Sequence, residues 1–157
     1  MTLAICMFVT WCVWIAFSLM PKKLSVLDTV FVLFGGTVFE LSIFTLLHVN
    51  LSWIVVNPDI EKSCANLVIR LLLIPVALLI STNIMLYDWK VLKWIVAAGI
   101  LLSFVPLQML QVRLGVITAL HVPTIGMLLF FSAYMLFARL LAGLIRAAGR
   151  KEERRLS

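Results

Sequence analysis

FGGTVFELSIFTLLHVN, residues 34–50, belongs to an apolar run long enough to cross a lipid bilayer as a helix, which takes about 20 residues. The run is continuous, whereas the strands of a membrane β-barrel alternate apolar and polar residues. It therefore predicts a transmembrane helix. An acid, Glu40, nevertheless stands near the middle of the run, and an imidazole, His48, near its end.

The composition of the whole chain indicates the same environment. Of the 157 residues, 64% are hydrophobic and 13% are charged, and the mean hydropathy is +1.15. A soluble domain has about 45–50% apolar and about 25% charged residues. The sequence therefore predicts an integral membrane protein of the all-α class, a polytopic transmembrane helix bundle.

Five apolar runs divide the chain into helices and short connections. The predicted spans are residues 3–20, 29–48, 66–87, 91–111 and 122–145, followed by a basic tail at 146–157. Residues 51–56 extend the second run, either as more of a long tilted helix or as a segment along the interface with Trp53 at headgroup level. No internal repeat or linker interrupts the pattern, so residues 1–157 are predicted to form a single membrane domain.

The basic residues predict how the bundle is oriented. With the N-terminus outside, the outer regions hold only Lys62, Arg70 and Arg113. The inner regions hold the larger set, Lys22, Lys23, Lys90, Lys93, Arg146, Arg150, Lys151, Arg154 and Arg155. Cytoplasmic connections carry an excess of lysine and arginine, so the C-terminus is predicted to be cytoplasmic in a multi-pass protein of a cell membrane, such as a bacterial plasma membrane.

The net charge of +6 would suggest a nucleic-acid partner in a soluble protein, but no nucleic-acid-binding module accompanies it here. We expect the lipid bilayer to be the partner, with anionic lipids at the cytoplasmic face. The tail residues predicted to contact their headgroups are Arg146, Arg150, Lys151, Arg154 and Arg155. The alternative is that these charges only orient the chain.

Glu40 needs an explanation because ionisable groups at membrane depth persist only where they are paired, wet or chemically active. At about 1.5 Å per residue, Glu40 lies about 12 Å below the outer end of its helix, and Arg70 lies about 6 Å below the outer end of the antiparallel third helix. A guanidinium spans that difference along its stem, which predicts a Glu40–Arg70 pair. Two alternatives stay open, namely a neutral Glu40 bonded to a hydroxyl or amide, and a carboxylate that titrates during transport or catalysis.

Further polar residues fall in the outer half of the predicted bundle. With the pair, they could line a vestibule open to the outside, or they could simply be wet because they are near helix ends. The candidate vestibule residues are His48, Gln108, Gln111, Arg113 and His121. Pro75 and Pro106 should break the third and fourth helices, as happens at transporter sites and also in ordinary membrane packing.

No catalytic or metal-binding pattern is present in the sequence. It contains no HExxH, no GxSxG and no phosphate loop, and its three cysteines form no CxxC pair. A disulfide between Cys6 and Cys64 and buried free thiols both stay open. We expect no enzyme activity, no cofactor and no metal.

A tryptophan-bearing first helix, WCVW, ends in PKK, and the third helix contains IRLLLIP. In these features the chain resembles a group of small multi-pass membrane proteins of Bacillus-like and Clostridium-like bacteria whose activity is uncharacterised. The resemblance implies a fold and no activity. The sequence thus favours a structural or accessory subunit that packs with itself or another membrane protein. The alternative is a small proton-linked transporter or channel that uses Glu40 and Arg70.

Overall fold

The computed structural model of the protein describes residues 1–88, 90–119 and 124–156. Within them the chain forms an all-α bundle, which confirms the predicted fold class. The helices are α1 (Thr2–Leu19), α2 (Val26–Thr45), α3 (Ile60–Val68), α4 (Ile74–Met85), α5 (Leu92–Leu102), α6 (Phe104–Arg113) and α7 (Thr124–Leu156). Two short strands, β1 (Ile54–Val56) and β2 (Ile117–Ala119), pair with each other.

Irregular turns join these helices into five long segments within the described residues. A π-helical turn, Leu46–Asn50, extends α2, and another, Ile69–Leu73, makes α3 and α4 continuous. The fourth segment consists of α5 and α6, which meet at Ser103. The chain is therefore a small membrane protein built from long apolar helices.

Four of these segments are long and apolar enough to cross a membrane, counting only the described residues. They are Thr2–Leu19, Val26–Asn50, Ile60–Met85 and Leu92–Arg113. The predicted fifth span, 122–145, begins at residues outside the described part of the chain, and α7 contains the rest of it. The helix α7 also continues through most of the predicted tail, to Leu156.

Local sequence signals account for the helix ends. Met20 is extended because Pro21 follows it, and this ends α1. Ser25 caps α2 by accepting a hydrogen bond from the backbone N–H of Asp28, whose side chain in return accepts from the backbone N–H of Ser25. Asp59 caps α3 by accepting from the N–H of Glu61.

Both helix-breaking prolines lie just after an irregular turn. Pro75 follows the π-helical turn Ile69–Leu73 and opens α4, and Pro106 lies in the first turn of α6 after the break at Ser103. Pro106 costs no hydrogen bond, because in the first turn of a helix the backbone N–H has no helical partner. Pro75 lies within a continuous helical segment, and the π-helical turn just before it accommodates the missing N–H.

Helix α4 lies at the centre of the bundle. It contacts α1, α2, α5 and α7, and its residues from Pro75 to Met85 are all buried. Gly36 of α2 lies against Pro75 and Leu78, where an added Cβ would be 3.4 Å from Leu78 Cδ1. The close approach of α2 and α4 therefore depends on the missing side chain at this position.

Residues 51–56 exclude one of the two predictions made for them. They are not more of a tilted helix, because the chain turns at Leu51–Trp53 and enters β1. A segment along the interface, with Trp53 at headgroup level, stays a prediction. β1 pairs antiparallel with β2, with Val55 opposite Thr118. The connection after the second segment thus pairs with the connection after the fourth, and both lie at one end of the bundle. The backbone N–H and C=O groups of these two connections, which lie outside the helices, find hydrogen-bond partners in the β1–β2 pair.

Candidate functional site

Glu40 and Arg70, 30 residues apart in sequence, meet in the interior of the bundle. Glu40 lies on α2 and is 2% exposed, and Arg70 lies in the π-helical turn between α3 and α4 and is 8% exposed. The Nη1 atom of Arg70 donates a hydrogen bond of 2.6 Å to Oε1 of Glu40. Because either charge alone would be costly to bury, Glu40 and Arg70 each require the other at the contact between α2 and the third segment.

Two further contacts fix the guanidinium of Arg70. Its Nε donates a 2.9 Å hydrogen bond to Oδ1 of Asn66, a buried residue one turn earlier. Its Cζ lies 3.6 Å from the ring centroid of Phe44, a cation–π contact. Arg70 is therefore held by a carboxylate, an amide and an aromatic face, which leaves its side chain one orientation.

The π-helical turn explains how Arg70 faces inward. The backbone N–H of Ile74 bonds to the carbonyl of Ile69, five residues back, so one extra residue is accommodated in the turn. As a result Ile69 and Arg70 are both buried although they are consecutive, and Leu73 is buried as well. Single π-turns inside α-helices are frequent at functional sites, because they re-aim side chains in this way.

A cavity of about 90 Å³ lies beside the ion pair. Its polar lining consists of Glu40, Arg70, Gln108, Gln111 and Tyr134. The volume is about three times the ~30 Å³ share of one water molecule in the liquid. Oε1 of Gln111 accepts no hydrogen bond from the described residues, although the residue is only 6% exposed. A buried amide oxygen without a donor requires an explanation, and a water molecule or small polar group in the adjacent cavity would supply one.

The strand pair contributes to the wall of this cavity. Ile54 of β1 and Ile117 of β2 line it, and both are buried. His48 fastens β1 to the end of α2, since its Nδ1 lies 2.6 Å from the carbonyl oxygen of Ile54 and its ring stacks on Phe44 at 5.0 Å between centroids. The same phenylalanine thus supports both Arg70 and His48.

The structure divides the residues of the predicted vestibule. Gln108 and Gln111 line the cavity beside the ion pair. His48 is absent from its lining because its ring is engaged with the Ile54 carbonyl, and Arg113 is exposed at the end of α6. His121 lies outside the described residues. Two of the five residues therefore share a cavity with the pair, and two of them lie elsewhere.

The basic residues of the tail belong to α7. Nη2 of Arg146 donates a 3.0 Å hydrogen bond to the backbone carbonyl of Met85 at the end of α4. Only the helical backbone is described for the others, Arg150, Lys151, Arg154 and Arg155. Their contact with headgroups stays a prediction.

Sequence reasoning missed several residues that build the interior. Tyr134 packs edge-on against Phe39 and Phe104 at 5.2 and 5.6 Å, and its position on α7 gave no signal before the helices were assembled. Asn66 precedes Arg70 by four residues, which is the spacing of neighbours on a helix face and was a usable signal. Asn83 is fully buried.

Asn83 connects α4 to the first basic connection. Its Oδ1 accepts a 2.8 Å hydrogen bond from the backbone N–H of Lys23, and its Nδ2 donates at 3.0 Å to the carbonyl of Pro21. A buried amide that satisfies two backbone groups of a loop is expensive to replace. Asn83 therefore fixes the turn between α1 and α2.

The described residues contain no group of three or more histidine, cysteine or acidic side chains that could hold a metal ion. The three cysteines are free, with Cys6 buried and Cys12 and Cys64 exposed. Neither of the two alternatives for the cysteines holds in full, because the thiols are free but only Cys6 is buried. An ion pair with polar neighbours can hold helices together, bind a small polar group, or exchange a proton.

Comparison of the chain with family models, with curated proteins and with solved structures finds no match. The likeness to small bacterial multi-pass proteins, based on WCVW, PKK and IRLLLIP, stays a prediction.

Proposed function

We propose that this protein is a structural or accessory subunit of a cell membrane, which packs with itself or with another membrane protein and performs no catalysis. The observation that carries the proposal is the braced ion pair. The guanidinium of Arg70 contacts Glu40, Asn66 and Phe44. All four residues lie at the interface between α2 and the third segment. A charge pair held in this way fixes helices in one arrangement, which is what a packing subunit requires.

The outward surface of α1 supports the same role. Only Cys6, Thr10 and Phe17 of this helix are buried, whereas Phe8 is 69% exposed and Trp11 is 64% exposed. Large aromatic side chains on an otherwise apolar helix give a second membrane helix an extensive surface to pack on. This surface is available without any change in the bundle.

Native mass spectrometry of the protein, extracted gently from its own membrane, tests the proposal. We expect the chain to appear at fixed stoichiometry with a second copy or another membrane protein. The Phe8→Ala variant should lower the fraction of that complex, and the matched control Phe31→Ala, which changes a 52% exposed residue of α2, should leave it unchanged. A chain that is monomeric at every gentle detergent condition would contradict the proposal.

A small proton-linked transporter or channel is the second candidate. The observation that favours it is the cavity lined by Glu40, Arg70, Gln108 and Gln111, in which the oxygen of Gln111 has no partner among the described residues. In proteoliposomes this function predicts a flux that depends on a pH gradient and is abolished in the Glu40→Gln variant while the protein stays folded. Equal flux in wild type and variant would exclude a role of Glu40 in transport.

The orientation of the chain belongs to the same proposal, with the N-terminus outside and the C-terminus in the cytoplasm of a bacterial cell. Cys64 is an exposed thiol near the start of α3 and should lie at the outer face. A membrane-impermeant maleimide should label it in intact cells, and the Cys64→Ser variant is the control. A cysteine introduced by Lys22→Cys should react only after lysis, and the reverse pattern would invert the orientation.

A further inference from the structure

A second cavity, of about 290 Å³, lies between α5 and α7, away from the Glu40–Arg70 pair. Three cations line it, Lys93 from the first turn of α5 and Arg139 and Arg146 from α7. None of the described residues that line it is acidic. The cavity therefore gathers positive charge from two helices that are distant in sequence.

The guanidinium of Arg139 forms no salt bridge within the described residues, where no carboxylate lies within 4 Å of it. Its guanidinium instead lies over the ring of Trp94, with Cζ at 5.2 Å from the centroid. This contact orients a planar fork of N–H donors, and the fork geometry matches the oxygens of a phosphate. Arg146, two turns further along α7, is anchored through Nη2 to the carbonyl of Met85.

Small residues make the space between the two arginines. Ala142 and Gly143 line the cavity, and a Cβ added at Gly143 would meet no heavy atom within 4 Å. The volume of about 290 Å³ is roughly ten times the ~30 Å³ share of one water molecule. The site is thus open and large enough for a phosphate group with part of its hydration shell.

The cavity also lies at the level where phosphate groups occur in a membrane. Met85 is the last residue of α4, and Lys93 and Trp94 are in the first turn of α5, so the cavity is at one end of the bundle. Asn83, two residues before Met85, bonds to the backbone of Lys23, which places the basic first connection at the same end. Tryptophan and basic side chains at a helix end mark the headgroup region.

We propose that this cavity binds a phosphate group, through Lys93, Arg139 and Arg146, with Trp94 holding Arg139 in place. The phosphate has two chemical sources, the headgroup of an anionic phospholipid and a soluble phosphate compound. Binding at this site does not depend on the role of the Glu40–Arg70 pair.

The test uses the full chain in non-ionic detergent, titrated in separate arms with dioleoyl phosphatidylglycerol, dioleoyl phosphatidylcholine and inorganic phosphate, with bound species counted by native mass spectrometry. We expect Arg139→Gln to weaken binding of the anionic ligand, phosphatidylglycerol or inorganic phosphate, about 5-fold, which is the effect of one basic residue near a membrane surface. Gly143→Leu should abolish binding by filling the space while every cation is kept. Arg113→Gln, which removes one charge at the other end of the bundle, is the matched control and should change nothing.

The arms separate the two sources. Preference for phosphatidylglycerol over phosphatidylcholine, without competition from inorganic phosphate, assigns the site to a lipid headgroup. Retention of inorganic phosphate that is lost in Arg139→Gln and Gly143→Leu assigns it to a soluble compound. Two results would overturn the proposal. The first is binding of phosphatidylglycerol and inorganic phosphate that does not change in Arg139→Gln and Gly143→Leu, when both variants have the elution volume and melting temperature of the wild type. The second is the absence of binding in every arm.

Discussion

The buried Glu40–Arg70 pair allows a quantitative prediction, because the structure shows which contacts each substitution removes. Arg70→Leu removes the 2.6 Å bond to Glu40, the 2.9 Å bond to Asn66 and the cation–π contact with Phe44. Breaking a buried pair from one side leaves the other charge uncompensated and costs about 3–5 kcal/mol. We expect Arg70→Leu to lower the free energy of unfolding by that amount.

Glu40→Gln also leaves one buried charge, that of Arg70, without a counter-charge. Its amide oxygen still accepts a hydrogen bond from Nη1 of Arg70, so we expect a cost at the lower end of the same range, about 3 kcal/mol. In the double variant no buried charge remains. Its cost should therefore fall below the sum of the two single costs by about 2 kcal/mol.

The assay is reversible unfolding in mixed detergent micelles with increasing dodecyl sulfate, followed by tryptophan fluorescence, for the wild type and the three variants. Arg113→Leu is the matched control, since it removes an exposed arginine at the end of α6 and should change stability by less than about 0.5 kcal/mol. A coupling energy under about 0.5 kcal/mol would show that Glu40 and Arg70 do not depend on each other in the folded protein, because residues in direct contact exceed that value.

Three further predictions concern packing and loop contacts. Gly36→Leu should separate α2 from α4 and lower the free energy of unfolding by about 1–3 kcal/mol. Gly99→Leu is the control and should be neutral, because an added Cβ there meets nothing within 4 Å. Equal unfolding midpoints for the two variants would contradict this prediction. Asn83→Ala should cost about 1–3 kcal/mol in the same assay, because the backbone N–H of Lys23 loses its acceptor and the carbonyl of Pro21 keeps only the hydroxyl of Tyr87 as a donor. His48→Phe keeps an aromatic ring but loses the hydrogen bond to the Ile54 carbonyl, which contributes about 1 kcal/mol. Amide hydrogen exchange in β1 should therefore accelerate about 5-fold. Unchanged protection of the β1 amides would show that this hydrogen bond is dispensable.

The all-α class follows from the sequence alone, because apolar composition and continuous hydrophobic runs are properties of each segment. The predicted helix starts at residues 29 and 66 were too late, since α2 begins at Val26 after its Ser25 cap and α3 begins at Ile60 after its Asp59 cap. Depth counted along two antiparallel helices put Glu40 near Arg70, and the structure has their atoms 2.6 Å apart. This kind of argument needs only the rise per residue of a helix.

The surroundings of the Glu40–Arg70 pair follow only from the folded bundle. The inward aim of Arg70 results from a π-helical turn, and the ring of Phe44 meets it only once α2 has docked. β1 and β2 come from connections about sixty residues apart, so neither predicts a strand without the other. The cavities likewise arise from side chains of three or more elements, whose meeting depends on packing at the resolution of single side chains. Local physics thus places the helices in the membrane, and long-range packing decides which polar groups share a site.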